Sequence, residues 1–222
     1  MKEVVTKDGS VTFHNERYDE CYHSVSGAVE EAFKKHAGPA GVAERAGAGE
    51  ISILDVCFGL GYNSAAALDL ILEANLACSV NIVGLENDEK ILKKIAALKP
   101  HIKSYSAIQD AVERGGEYSH EGISIKIVVG DARESIKSLK SFDVVFHDPF
   151  SPKKCPELWT EDFFNEIRKH MNKNGVLTTY SCARSVRDNL RKAGFIVLDG
   201  PCVGRRAPST IASVDHHNAC DN

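Results

Sequence analysis

From residue 50 onward, short apolar runs alternate with amphipathic segments, and this alternation constrains the fold more than any other feature of the chain. Segments 51–58, 81–86, 123–129, 142–146, 175–180, 195–198 and 210–214 read as strands. Between them, 63–74, 88–99, 104–113, 133–139, 160–172 and 184–193 carry helical periodicity. Repeated strand–helix units need parallel strands joined by right-handed crossovers. The expectation is therefore an α/β fold with a doubly wound, mostly parallel seven-stranded sheet and helices on both faces. Such a sheet takes its ligand at the carboxyl ends of its strands, near the switch point, so chemistry is expected on the turns that follow the strands.

Ahead of this body, segment 4–14 sets Asp8-Gly9 between β-branched runs, a strong hairpin signal. Helical spacing of Val25, Ala28, Val29, Ala32 and Phe33 predicts a helix ending near His36, and the Gly- and Ala-rich stretch 37–49 reads as a linker. The expected organisation is an N-terminal hairpin, helix and linker over 1–49 packed on a main domain over 50–215, with a disordered tail over 216–222. At 222 residues, 43% hydrophobic and 26% charged, the chain has the composition of one globular domain, not of a fibrous or disordered protein. The best apolar stretch, 65–77, is broken by Asp69 and Glu73, so no membrane span is expected. Met1-Lys2-Glu3 opens no apolar signal segment, which makes a cytoplasmic address the expectation. Seven cysteines without a C-x-x-C pair read as reduced thiols, and no metal site is expected even from His216, His217 and Cys220 in the tail.

The first turn, Asp55-Val56-Cys57-Phe58-Gly59-Leu60-Gly61-Tyr62-Asn63, carries glycines that let backbone approach a ligand. It is not the dinucleotide fingerprint, because Ser64 stands where the third glycine belongs. An acid before a glycine loop suits a cofactor with a cationic amino-acid end, such as S-adenosylmethionine. Glu86 ends the second strand and can accept both hydroxyls of a ribose; Asp131, before Ala132, ends the third and can accept from an adenine amine. Each acid alone is more simply a helix cap, but three at successive strand ends point to one site. After the fourth strand, Asp148-Pro149-Phe150 joins a carboxylate, a carbonyl and a flat apolar face, a combination that can orient and deprotonate an amine on a heterocycle.

Together, Asp55-x-Cys57-Phe58-Gly59-x-Gly61-Tyr62-Asn63, Gly130-Asp131-Ala132-Arg133, His147-Asp148-x-Phe150-x-Pro152 with Pro156 and Trp159, and Gly204-Arg205-Arg206 resemble the methyltransferase part of the bacterial enzymes that complete 5-methylaminomethyl-2-thiouridine at the tRNA wobble position. Asp8-Gly9-Ser10, Tyr22-His23-Ser24 and Gly27-Ala28 extend the resemblance over about residues 5–214. It implies a Rossmann-like class I methyltransferase with S-adenosyl-L-methionine as donor. Asp55, Gly59, Gly61, Asn63, Glu86, Asp131 and Ala132 would hold the donor, with Glu86 on the ribose and Asp131 near the adenine. Asp148 would stand beside the reacting amine as the catalytic residue, and Phe150, Arg205 and Arg206 would meet the substrate. The best-known members carry a fused flavin-dependent oxidase that exposes the amine; the length leaves no room for it, so the expectation is either that a separate enzyme supplies the aminomethyl group or that the substrate differs.

Net charge is −4, but the span 168–206 carries nine basic residues against Asp188 and Asp199, which fits a local tRNA-binding face. Three other readings stand beside this one. A spermidine-synthase-like aminopropyl transferase shares the sheet but should show paired acids near residue 148. A DNA adenine methyltransferase would want a larger recognition region, and a non-catalytic module binding the cofactor and RNA has no need of Asp148.

Overall fold

The computed structural model describes residues 1–215, so the expected tail 216–222 lies outside the described residues. The N-terminal block opens with β1 (Lys2–Val5), β2 (Val11–Asn15) and β3 (Glu20–Cys21), a small antiparallel sheet. Asp8 anchors its first turn. Its carboxylate accepts from Thr6 Oγ1, Ser10 N, Ser10 Oγ and Glu30 N. These bonds outweigh the effect of burial and hold its pKa near 2. Helix α1 (Ala28–Glu31) then widens into a π-helical turn over Ala32–Ala37, in which Gly38 N donates to Phe33 O, five residues back.

The stretch expected to be a linker is instead packed structure. It forms α2 (Val42–Arg45) and a 3₁₀ turn (Ala46–Ala48), with Ala37, Ala40, Val42 and Ala46 buried. Its small side chains permit close approach to the neighbouring long helix; composition alone does not separate that use of Gly and Ala from flexibility.

The main sheet has eight strands, not seven. It comprises β4 (Glu50–Val56), β5 (Ser79–Glu86), β6 (Glu117–His120), β7 (Ile123–Val129), β8 (Phe142–His147), β9 (Met171–Thr179), β10 (Ile196–Asp199) and β11 (Thr210–Ser213), in the order β10-β11-β9-β8-β4-β5-β7-β6. The additional strand, β6, is a half-polar segment that pairs antiparallel with β7, and the polarity of Glu117, Ser119 and His120 hides it from an apolar pattern search. The inner pairs β4–β5, β4–β8, β5–β7 and β8–β9 are parallel, while β9–β11 and β10–β11 close one edge antiparallel. Helices α3 (Tyr62–Ala74), α4 (Glu89–Ile95), α5 (Tyr105–Glu113), α6 (Ala132–Ser135), α7 (Glu161–Lys169) and α8 (Arg184–Lys192) complete the alternation.

Two apolar layers flank the sheet. One joins Ile53, Ile82 and Phe146 to Leu68, Ile71 and Ile108; the other joins Leu54, Leu85 and Val145 to Phe164, Ile167 and Leu190. Successive strands run from β4 outward to β5 and β7, then resume on the other side at β8. The crevice between the carboxyl ends of β4 and β8 is therefore the switch point. The N-terminal block lies over this end: Tyr22 Oη donates to Asp88 Oδ2 at 2.9 Å, Tyr62 Oη donates to Val11 O at 2.8 Å, and Ser151 N donates to Glu20 Oε2 at 2.9 Å. Among the described residues no helix is long and apolar enough to cross a membrane.

Candidate active site

Two clefts meet at the switch point. The larger, of about 510 Å³, runs between the N-terminal block and the β8 and β9 ends; Lys35, His36, Asp148, Phe150, Tyr180 and Arg205 are among its walls. The smaller has about 30 Å³ of room beneath Tyr18 and Tyr22 and is walled by Cys57, Gly59, Glu86, Asn87, Cys155 and Leu158. Tyr22, His23, Asp148 and Phe150 belong to both.

Glu86 sits at the end of β5 and is 5% exposed. Its Oε1 accepts from Asn87 N and Asp88 N, and its Oε2 accepts from Gly59 N at 2.8 Å. Burial raises its pKa, and the three backbone donors oppose that rise. With about four acceptor sites on a carboxylate, one remains for a ligand. Gly59, at φ 55°, forms the floor: a Cβ there would lie 3.6 Å from Tyr22 Cδ1 and 3.9 Å from His23 Cε1, filling the cradle between them. Cys57 reaches the same wall through a left-handed backbone, φ 65°, which is strained for a residue with a side chain. Acids near a glycine cradle fit a ribose and a positively charged donor. The Tyr18 ring is stacked on Phe150 with centroids 4.5 Å apart, and both line this smaller cleft.

Asp148 follows β8 with its side chain 14% exposed, and desolvation raises its pKa. Asn63 Nδ2 donates to its Oδ2 at 3.0 Å, and His36 Nε2 stands 3.6 Å from the same oxygen. Oδ1 has no partner among the described residues. The turn that carries Asp148 is held by Trp159 Nε1 donating to Phe150 O at 2.8 Å and Tyr180 Oη donating to Pro149 O at 3.0 Å. The carboxylate therefore faces the cleft on a fixed support.

Other expected site residues are placed elsewhere. Asp55 is fully buried and lines neither cleft; its Oδ2 accepts from Ser64 Oγ at 2.6 Å and its Oδ1 is unpartnered. Burial pushes its pKa up to about 8, so it is largely protonated at neutral pH. Gly61 is a packing glycine at the start of α3, where a Cβ would stand 2.7 Å from Ile108 Cγ2 and 2.8 Å from Phe58 Cζ. Asn63 serves Asp148. Asp131 caps α6, accepting from Arg133 N at 2.9 Å, and both its oxygens accept from the Arg133 guanidinium. That pairing lowers its pKa, and neither Asp131 nor the core residue Ala132 lines a cleft. Phe150 lines both clefts with its ring against Tyr18 and Tyr22.

Arg205 reaches the larger cleft, its guanidinium donating to Tyr180 O and Ala207 O, and Arg206 is exposed beside it. Arg187, by contrast, is spent on Asp199, Thr210 and Ser209, and Arg184 and Arg191 flank Asp188. Much of the cationic span is thus neutralised within the fold. Tyr18, Lys35 and His36 carry no sequence signal for the site, whereas Tyr22 and His23 stand inside a quoted motif and, with Tyr180, are the alternatives to Asp148.

Residues 93–215 match a family described as S-adenosyl-L-methionine-dependent methyltransferase. An uncharacterized protein of Methanocaldococcus jannaschii is 38% identical over 216 residues, covering 94% of this chain and 58% of its own. The tRNA 5-methylaminomethyl-2-thiouridine biosynthesis bifunctional protein MnmC of Ralstonia nicotianae is 26% identical over 90% of this chain. The chain spans only a third of that relative, 33% of its length. The crystal structure of MnmC2 from Aquifex aeolicus superposes with a TM-score of 0.84 at 38% identity, covering 96% of this chain and 70% of that one. Spermidine synthase from Thermotoga maritima reaches a TM-score of 0.58 at 15% identity, a likeness of fold alone.

Proposed function

Because the chain belongs to the S-adenosyl-L-methionine-dependent methyltransferase family that includes MnmC2, we propose that it methylates the primary amine of a 5-aminomethyl-uridine, with or without 2-thiolation, at the tRNA wobble position. The observation that carries this reading is the meeting of the two clefts at Asp148, whose Oδ1 is unspent. Further support comes from the names of relatives that match 90% and 96% of this chain.

S-adenosyl-L-methionine supplies a methyl group on a positively charged sulfur. Glu86, Gly59 and Asn87 are the residues that would hold it, with Tyr18, Tyr22 and Phe150 closing over it. A free alkylamine has a pKa of about 10 and arrives as an ammonium. Asp148 Oδ1 accepts a hydrogen bond from that ammonium, holds it, and takes or passes on its proton, leaving the lone pair aimed across the junction. An aspartate, even one raised by burial, is a weak base for such an amine. Fixing the amine in a water-poor cleft accordingly contributes more than proton affinity does. Arg205 and Arg206 at the rim would meet the tRNA backbone.

The test is incubation with labelled S-adenosyl-L-methionine and tRNA from a strain blocked before the last methylation, followed by nucleoside mass spectrometry. Label in 5-methylaminomethyl-uridine is expected. Absence of label there, with label transferred to another nucleoside or to a polyamine, would overturn the reading. Aminopropyl transfer gains less support from the cleft, because Asp55 is turned away from it and the other acids in its wall are engaged, Glu20 by Ser151 and Glu31 by Ser24 N and Lys35.

A further inference from the structure

Tyr22, His23, Asp148 and Phe150 belong to both clefts, and their polar atoms are not equally committed. Tyr22 Oη accepts from Asn15 Nδ2 at 2.9 Å and spends its one proton on Asp88 Oδ2. Asp148 offers an acceptor and Phe150 a ring face. That leaves the His23 imidazole, which follows β3 and is 9% exposed. Its Nε2 has no partner among the described residues, and the methyl-transfer scheme does not use it.

The hydrogen bonds on the other side of the ring assign its proton. Thr12 Oγ1, on β2 and fully buried, accepts from His23 N at 3.1 Å and lies 3.3 Å from His23 Nδ1. It has no other partner among the described residues, and a buried hydroxyl spends its proton where an acceptor stands. Thr12 therefore donates to Nδ1, and the ring carries its own proton on Nε2. Burial brings the His23 pKa down to about 4, with the Asp148 charge opposing the fall, so the ring is a neutral donor at neutral pH. Tyr62 packs against the ring with centroids 5.0 Å apart. Cε1, the atom bonded to Nε2, stands over the Gly59 floor, 3.9 Å from where a Cβ would lie. One N–H is thus held unspent at the junction of the clefts.

In the function proposed above, the methyl donor occupies one cleft and the uridine the other, so carbon 5 of the base and its aminomethyl arm come to the junction. The ring carbon next to carbon 5 carries O4, a carbonyl acceptor. A group that holds the amine and a group that meets O4 must therefore stand side by side. Asp148 is the first. We propose that His23 is the second: its Nε2–H donates to O4 and makes the site specific for a 4-keto pyrimidine, uridine, over a 4-amino pyrimidine, cytidine. Cytidine would set an amino N–H against Nε2–H and leave a buried donor unpaired, the kind of mismatch that a hydrogen-bonding site rejects most strongly. The identity of the base rests on the proposed function; the tautomer of His23 does not.

The test uses the full chain and two synthetic anticodon stem-loops, identical except for 5-aminomethyl-uridine or 5-aminomethyl-cytidine at the wobble position. Competition binding reads the preference without turnover, and single-turnover methylation reads it with turnover. Wild type is expected to favour the uridine stem-loop by about tenfold or more, the effect of a matched hydrogen bond against an unpaired buried donor. His23→Phe keeps a ring against Tyr62 and removes the N–H. Its preference should disappear, with S-adenosyl-L-methionine affinity nearly unchanged by calorimetry. His23→Gln, whose amide can turn to donate or to accept, should bind both stem-loops alike, and it covers the case in which His23→Phe fails to fold. Nitrogen NMR of histidine-labelled protein, assigned with either variant, should show His23 as the neutral Nε2–H tautomer. No preference in wild type, a preference retained in either folded variant, or the Nδ1–H tautomer would overturn the proposal. So would a loss of S-adenosyl-L-methionine affinity with the preference intact, which would give the N–H to the carboxylate of that molecule. A binding preference that depends on His23, with no methylation of either stem-loop by wild type, would instead overturn the functional reading alone.

Discussion

The strand-end body and the N-terminal block contribute opposite chemistry to one site. From the sheet come the acids Glu86 and Asp148, fixed on turns whose partners are backbone amides or buttressing aromatics. From residues 18–36 come aromatic rings, two neutral histidines and a buried lysine that close over those acids. The block shares the apolar core with the sheet, through Phe13, Ala28, Ala32 and Val42, and walls the clefts into which the carboxylates face. The difference teaches that the N-terminal segment is part of the site and not an appendage to it.

The sharpest way to break this comparison is at the junction. Asp148→Ala should lower the single-turnover methylation rate by at least about a hundredfold, the low end for acid–base and positioning groups, with donor affinity nearly unchanged by calorimetry. A near wild-type rate would move the chemistry to Tyr180 or His23. On the sheet side, Glu86→Ala removes an acceptor for a charge-assisted hydrogen bond and should cost about 1.5–3 kcal/mol of donor binding, one to two decades in affinity. Unchanged affinity in the folded variant would take Glu86 out of the donor site.

A third test separates the two regions by pH. Burial lowers His23 and His36 in the block to about 4, and His147 in β8 to about 3. Their folded pKa values lie below the unfolded value near 6.5, so the stability they contribute is present above pH 6.5. It is lost as pH falls toward 4, at about 1.4 kcal/mol per pH unit for each group. Asp55 has the opposite sign. Its folded pKa near 8 lies above the unfolded value near 4, so its contribution is present in acid and declines as pH rises from about 4 to 8. Denaturant unfolding at a series of pH values should show the acid loss. His147→Phe should remove one proton's worth of its slope without touching the cleft, because both ring nitrogens of His147 are unpartnered among aromatic side chains. Asp55→Asn should flatten the decline toward pH 8; an unchanged profile would mean that Asp55 is ionised in the fold.

The smallest expected effect is at the rim. Arg206→Ala should reduce the log–log salt slope of tRNA binding by slightly under one, the yield of one phosphate contact. Arg187→Ala should leave that slope alone and lower stability, since Arg187 is bonded to Asp199, Thr210 and Ser209. The reverse pattern would favour α8 over Arg206 as the proposed RNA contact.

Strand ends were legible because the alternation of elements determines which residues stand at the carboxyl edge of the sheet. Glu86 and Asp148 were singled out on that ground, and both line the clefts. Asp55 and Asp131 stood in equivalent places and have other partners, Ser64 and Arg133, found on the first turns of the following helices. Both pairs lie within ten residues, but strand-end position alone does not say whether an acid bonds its own turn or the crevice. Gly61 and Asn63 have roles within the fold that strand-end position does not reveal, for a related reason. Their neighbours Ile108 and Asp148 are distant in sequence, and only packing brings them together.

By itself, the sequence determined the doubly wound sheet, because period-2 and period-3.6 apolar patterns are local and each element must bury its own face. It also determined the appended hairpin and the edge at which ligand groups gather. Only the tertiary structure decided that 37–49 packs instead of linking, that β6 adds an eighth strand, and that His36 faces Asp148 from 112 positions away. Periodicity registers how much of a side chain is buried. The protonation and direction of a buried polar group depend on the single atom opposite it, and that atom belongs to another part of the chain.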